Sequence, residues 1–410
     1  MMMPREAVAL LKETYDRVSS RLERVDMAAL WPGFRRYPFA LYDGRNACVA
    51  GEVLPRPEAF RGNTAIPWRD GYMAIWDIGQ NPMADADALA AGLAHEMFHA
   101  HQLTLGETRF PDDLRLLRCP PTAEALALRR REHRLLARAA EHPATTEEAS
   151  GLLAEVLALR RMREQCCPED ARQGFLAETV EGTAEWVGLS ALAQLSPEKA
   201  AQRLQQIAAR LTDAGLHQMD TRRMSYDSGV CLLSLACQAG LPLPMGQTES
   251  VSAQLVAQAA SVRLMPLAPE ETAYWAALLA QQREQRQTLL ADFRARPLRQ
   301  MTGPFLLCGY NPMNMWRQDD SLFGTSFFLL EDGAGWRLPL TGETLLTMAP
   351  GSDRQVLLAE QAESNQPGQM RGTLGCIHGN LPARDRRYGR CSWAMTVPAA
   401  RNPAAKRSKR

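Results

Sequence analysis

The sequence predicts an α+β chain that is mainly helical, with a small antiparallel sheet near its start and a β-rich segment near its end. Three observations carry this expectation. Long Ala/Leu/Arg/Glu-rich stretches at 122–141, 146–164 and 268–295 have helical composition and spacing. Residues 37–42, the turn pair Asp43-Gly44 and residues 47–50 read as a β-hairpin, with a further strand at 72–78. After Pro297 the pattern changes to short apolar runs divided by turn residues, at 305–307, 326–330, 336–340 and 355–358.

Taken in order, residues 1–30 form one amphipathic helix, with Val8, Leu11, Tyr15, Val18 and Leu22 spaced by three or four. The hairpin and the 72–78 strand follow. Asn81-Pro82 breaks the chain, Asp85 is an N-cap, and strong helix formers then run to a stop at Gly106. A helical hairpin fills 106–170, broken at His142-Pro143 and restarted by Thr145-Thr146-Glu147-Glu148. Helices at 174–187, 197–211, 226–239 and 250–263 lead to the one at 268–295, which opens on Ala268-Pro269-Glu270-Glu271. The expected divisions are an α+β part at 1–80, a helical part at 81–297, a β-rich domain at 298–400 and a disordered basic tail at 401–410.

A net charge of +1 over 410 residues gives no reason to expect nucleic acid or an anionic membrane as partner. No apolar run reaches the ~18 residues of a membrane span, and the charged start is unlike a secretion signal. Nine cysteines, among them Cys231 and Cys237 in an apolar pattern and the adjacent Cys166-Cys167, lack the spacing of a structural zinc site. Reduced thiols in a cytoplasmic protein are expected. His133 and His142 fall among arginines and glutamates and read as surface residues, and His378 stands alone.

The chemistry centres on His95-Glu96-Met97-Phe98-His99. In a helix, four residues turn through about 400°, so the two histidines lie one above the other and can reach one metal ion at about 2.0–2.1 Å. Glu96 lies about 100° round the helix, placed to reach a metal-bound water rather than the metal. Downstream, Glu178, Glu181 and Glu185 are spaced by three and four on a segment that also carries Phe175, Ala184 and Trp186. A carboxylate stripe turned toward a core is costly unless paired or metal-bound, so this stripe is where a third ligand is sought.

With these residues and Glu181-Gly182-Thr183-Ala184-Glu185-Trp186, the chain resembles the gluzincin metallopeptidases, nearest in motifs to the aminopeptidase N group. The resemblance implies a zincin-like catalytic domain holding one Zn2+ on His95, His99 and Glu181. Glu185 would orient a ligand histidine, and Glu178 is the backup ligand. It also implies that Tyr226, in Tyr226-Asp227-Ser228-Gly229, hydrogen-bonds the developing oxyanion. Two departures stand out: 81 residues separate His99 from Glu181, far more than in that group, and its amino-terminus-binding Gly-x-Met-x-Asn stretch is absent upstream of His95.

The expected function is a zinc-dependent hydrolase cleaving peptide bonds of a peptide or protein, with Glu96 as general base. A zinc hydrolase of a non-peptide amide or ester, and a non-catalytic zincin-like binding scaffold, are the alternatives.

Overall fold

The computed structural model describes residues 4–83, 85–142, 144–258 and 262–362. It is α+β and mainly helical, and it divides into one unit ending at Ala295 and another beginning at Arg296. His378 and the basic tail lie outside the described residues.

The first unit opens with α1 (Pro4–Glu23), whose Leu11, Tyr15, Val18 and Leu22 are buried. The single helix expected over 1–30 is in fact two. Asp26 accepts from the backbone N–H groups of Ala28 and Ala29 and starts α2 (Met27–Leu30) afresh.

A five-stranded sheet follows, made of β1 (Phe39–Tyr42), β2 (Asn46–Val49), β3 (Glu52–Pro55), β4 (Thr64–Trp68) and β5 (Gly71–Asp77) in the order β3-β2-β1-β5-β4. The β1–β2 hairpin matches expectation. The sheet as a whole is mixed and not antiparallel throughout, because β5 returns to pair with β1 in parallel. That also makes β5 an interior strand, with β4 at the edge. The unbroken burial of Met73 to Asp77 is the mark of a strand covered on both faces.

Helix α3 (Ala86–Thr104) packs on this sheet. Asp85 caps it, accepting from Asp87 and Ala88, and Gly106 turns the chain away at φ +75°. Gly92 lies so close to Trp76 on β5 that a Cβ there would sit 2.7 Å from the indole ring.

The rest of the unit is helical: α4 (Asp113–Arg118), α5 (Ala123–Glu141), α6 (Thr146–Cys166), α7 (Pro168–Ala177), α8 (Thr183–Leu195), α9 (Pro197–Thr212), α10 (Thr221–Gln238), α11 (Val251–Val256) and α12 (Pro269–Arg294). The predicted hairpin is α5 and α6, and Thr145 and Glu148 form a capping box at its turn. Leu136, Leu153, Val156 and Leu157 from this pair share one core with Leu189, Val230 and Leu235 of α8 and α10. His142 is exposed, but His133 is not the surface residue its neighbours imply. It is 1% exposed, because Arg129 and Glu132 beside it turn inward to an ionic cluster.

The second unit carries a seven-stranded antiparallel sheet. Its strands are β6 (Leu298–Tyr310), β7 (Met315–Gln318), β8 (Ser321–Gly324), β9 (Phe327–Glu331), β10 (Arg337–Thr341), β11 (Thr344–Met348) and β12 (Gln355–Ala362), in the order β10-β9-β6-β12-β11-β8-β7. Leu307, Phe328, Leu330, Leu345, Val356 and Ala359 are among its buried apolar residues. Among the described residues no helix is long and apolar enough to cross a membrane, and the cysteines are free thiols.

Candidate metal centre

Three helical segments meet at the predicted motif. Helix α3 supplies His95, Glu96 and His99, all buried. The second segment begins with a π-helical turn, Glu178–Gly182, between α7 and α8. Such a turn widens the backbone ring and leaves carbonyls poorly paired. Threonine hydroxyls make good the shortfall: Thr179 donates to Phe175 O at 2.7 Å, and Thr183 to Thr179 O at 2.7 Å and Val180 O at 3.2 Å. Glycines then let the segments close on one another. A Cβ on Gly188 of α8 would lie 3.0 Å from Ala91 O and 3.4 Å from His95 Cβ on α3. On the other side Gly182 faces Gly229 of α10, and a Cβ on either would come within 2.7 Å of the other's Cα.

This packing brings His95, His99 and Glu181 together as the group, among the described residues, that could hold a metal ion. The two imidazole Nε2 atoms are 3.1 Å apart. Glu181 Oε2 is 3.1 Å from His99 Nε2 and 3.8 Å from His95 Nε2. Ligands about 2.0–2.1 Å from one ion in tetrahedral array are themselves spaced by about 3.3–3.4 Å, so the three atoms fit such an ion.

The outer ring nitrogens are held as a metal site needs. His95 Nδ1 donates to Glu185 Oε2 at 3.2 Å, and Glu185 is in turn paired with Arg203. His99 Nδ1 donates to Gln102 Oε1 at 2.8 Å. The Gln102 amide donates to Val180 O at 3.0 Å and Thr183 Oγ1 at 3.1 Å, tying α3 to the π turn. Both Nε2 lone pairs therefore point at one another and at a carboxylate oxygen, an arrangement that only a proton or a cation relieves.

The electrostatics agree. Burial lowers the affinity of His95 for a proton, but Glu181 and Glu185 outweigh it and pull the pKa up to about 10. Burial raises the Glu181 carboxyl, yet His99 and Arg222 hold it well below the usual range. Glu185 behaves alike, reaching about 2 through His95 and Arg203. Glu96 is pushed up by burial against the opposing pull of both histidines. With both imidazoles neutral, as metal ligation requires, Glu96, Glu181, Glu185 and Asp113 face Arg203 and Arg222, a deficit of two positive charges that a divalent ion balances.

Tyr226 lies at the same place. Its ring stacks parallel on His95 with centroids 6.0 Å apart and 2° between planes. Burial and the neighbouring Glu181 carboxylate hold the phenol protonated far above its ordinary range. Glu178 does not join the group. One residue into the π turn, it is turned away to Arg160 and accepts from Ser228 at 2.7 Å. Four polar groups of the site are absent from the sequence-based expectation: Gln102, Asp113, Arg203 and Arg222. Gln102 was within reach of it, being three residues beyond His99 on the same helix. The arginines come from α9 and α10, and no local pattern marks them.

Comparison of the chain with models of protein families, with curated proteins and with solved structures returns no match. The gluzincin resemblance is thus carried by these residues alone.

Proposed function

We propose that the protein is a zinc-dependent hydrolase, a gluzincin-like metallopeptidase that cleaves peptide bonds in the cytoplasm. The observation that carries this reading is the convergence of His95, His99 and Glu181 with Glu96 on the same helix. The His₂-carboxylate donor set suits zinc, which when bound there would supply Lewis acidity and a water whose pKa falls toward about 7. The protein's own groups do the rest. Glu185 and Gln102 keep both Nε2 lone pairs directed inward. Glu96, in surroundings that raise its proton affinity, takes the proton of the attacking water and passes it to the leaving amine. Tyr226, kept protonated, gives a hydrogen bond to the oxyanion as it forms.

The test pairs metal analysis with turnover. Purified protein should contain about one zinc per chain and hydrolyse members of a peptide library, while Glu96→Gln should keep the zinc and lose activity by 10²-fold or more. A wild-type protein without zinc, or a Glu96→Gln variant of undiminished activity, would refute the proposal.

A further inference from the structure

Arg222 is a charged neighbour of Glu181 that no requirement of metal ligation explains. A cation beside a metal ligand competes with the metal for the same carboxylate. Yet Arg222 Nη2 donates to Glu181 Oε1 at 2.6 Å, while its other arm, Nη1, donates to Asp113 Oδ1 at 2.6 Å. Asp113 is 3% exposed and stands at the first residue of α4, so the brace is anchored in the interior. The two oxygens of Glu181 are thereby made unlike. Oε1 is occupied by the guanidinium, and Oε2 is the oxygen that faces His95 and His99.

We infer that Arg222, braced by Asp113, is a positioning residue that makes Glu181 a one-oxygen donor and aims that oxygen at the two imidazoles. This rests on the metal-centre reading above. The physical basis is the planar fork of arginine, which can satisfy two carboxylates in fixed directions at once; a lysine supplies the charge without the fork. Without the brace the carboxylate can rotate or offer both oxygens, and the coordination number is no longer fixed by the protein.

The probe is Co2+ added to metal-free full-length protein, with affinity read by titration and coordination read from the visible absorption of the bound ion. Wild type should give the strong bands of a four-coordinate site. Arg222→Lys and Arg222→Gln should bind cobalt about 10–100-fold more weakly, with weaker bands of a five-coordinate ion, at unchanged far-ultraviolet circular dichroism. Asp113→Asn, which keeps the arginine but loosens its brace, should shift both readouts in the same direction by less. If Arg222→Gln does not fold, the lysine and Asp113→Asn variants decide. Wild-type affinity and spectrum in folded Arg222→Lys and Asp113→Asn overturn the inference and leave the metal centre standing. Failure of wild type to take up cobalt overturns both.

Discussion

Two buried ionic clusters lie one helical turn apart on the same segment, and they differ in whether their charges close. Glu178 belongs to the first. Both of its oxygens are taken by Arg160, at 2.5 and 2.8 Å, and Ser228 adds a third bond. Arg160 and Arg163 also hold Glu132, Arg163 approaches Asp170 at 3.8 Å, and Arg129 reaches Asp170 through Thr221. Three carboxylates face three guanidinium groups. Glu181 belongs to the second, where one oxygen stays turned to the two imidazoles and, once both are neutral as ligands, the charges fall two short of balance. A closed cluster holds helices together; an open one of the same residue types has capacity left for a cation.

The contrast can be broken most severely from the closed side. Arg160→Met leaves Glu132 and Glu178 buried without their shared partner and should cost about 3–5 kcal/mol in urea unfolding. Glu181→Gln should abolish metal uptake with a far smaller loss of stability for the metal-free protein. Equal losses of stability in the two variants would contradict the distinction. Next comes the crossing that keeps the clusters apart. Gly229→Ala places a Cβ 2.5 Å from Gly182 Cα and 2.9 Å from Glu178 Cγ. Overpacking of this kind costs about 1–3 kcal/mol, and zinc titration should show weakened binding as well. Gln102→Leu strikes the open cluster, with an expected 10–100-fold loss of zinc affinity and, because its three buried hydrogen bonds tie α3 to the π turn, a loss of about 1–3 kcal/mol in stability.

The smallest effect is a difference in pH dependence. In the closed cluster, burial pushes His133 down to about 3. Its stabilising contribution is present above pH 6.5 and is lost as pH falls below that value. In the metal-free open cluster His95 is raised to about 10, so its contribution is present below pH 6.5 and is lost as pH rises toward 10. Each should change stability on the order of 1 kcal/mol per pH unit within its window. Unfolding midpoints at pH 5, 6.5 and 8 for wild type, His133→Gln and His95→Gln check the opposite signs. Because a histidine ligand must be neutral, zinc should reverse the alkaline slope and bind with release of protons.

Much of this was legible in the chain. Asp85, the run of helix formers and Gly106 define α3 by themselves, because caps and propensities act within a turn of the backbone. The same local rules placed the β1–β2 hairpin, the Thr145–Glu148 box and α12 from Pro269. Parallel pairing of β5 with β1 was not legible, since it depends on where the chain returns after the 28 residues between Tyr42 and Gly71. Nor was the burial of His133, whose charged neighbours look solvated until their partners on other helices are known.

The sequence by itself determined which residue types could hold a metal and which two share a helix face: His95 and His99, four apart, with Glu96 beside them. Among the three glutamates the family resemblance pointed to Glu181, and only the tertiary structure supplies the physical reason. Their spacing of three and four is identical to any one ligand's, and a regular helix would show them as a single stripe. The π turn at Glu178–Gly182, the glycine crossings and the placement of Arg160 and Arg222 send Glu178 to one cluster and Glu181 to the other. That choice depends on which carboxylate meets enough cations to be satisfied, and those cations arrive from helices distant in sequence.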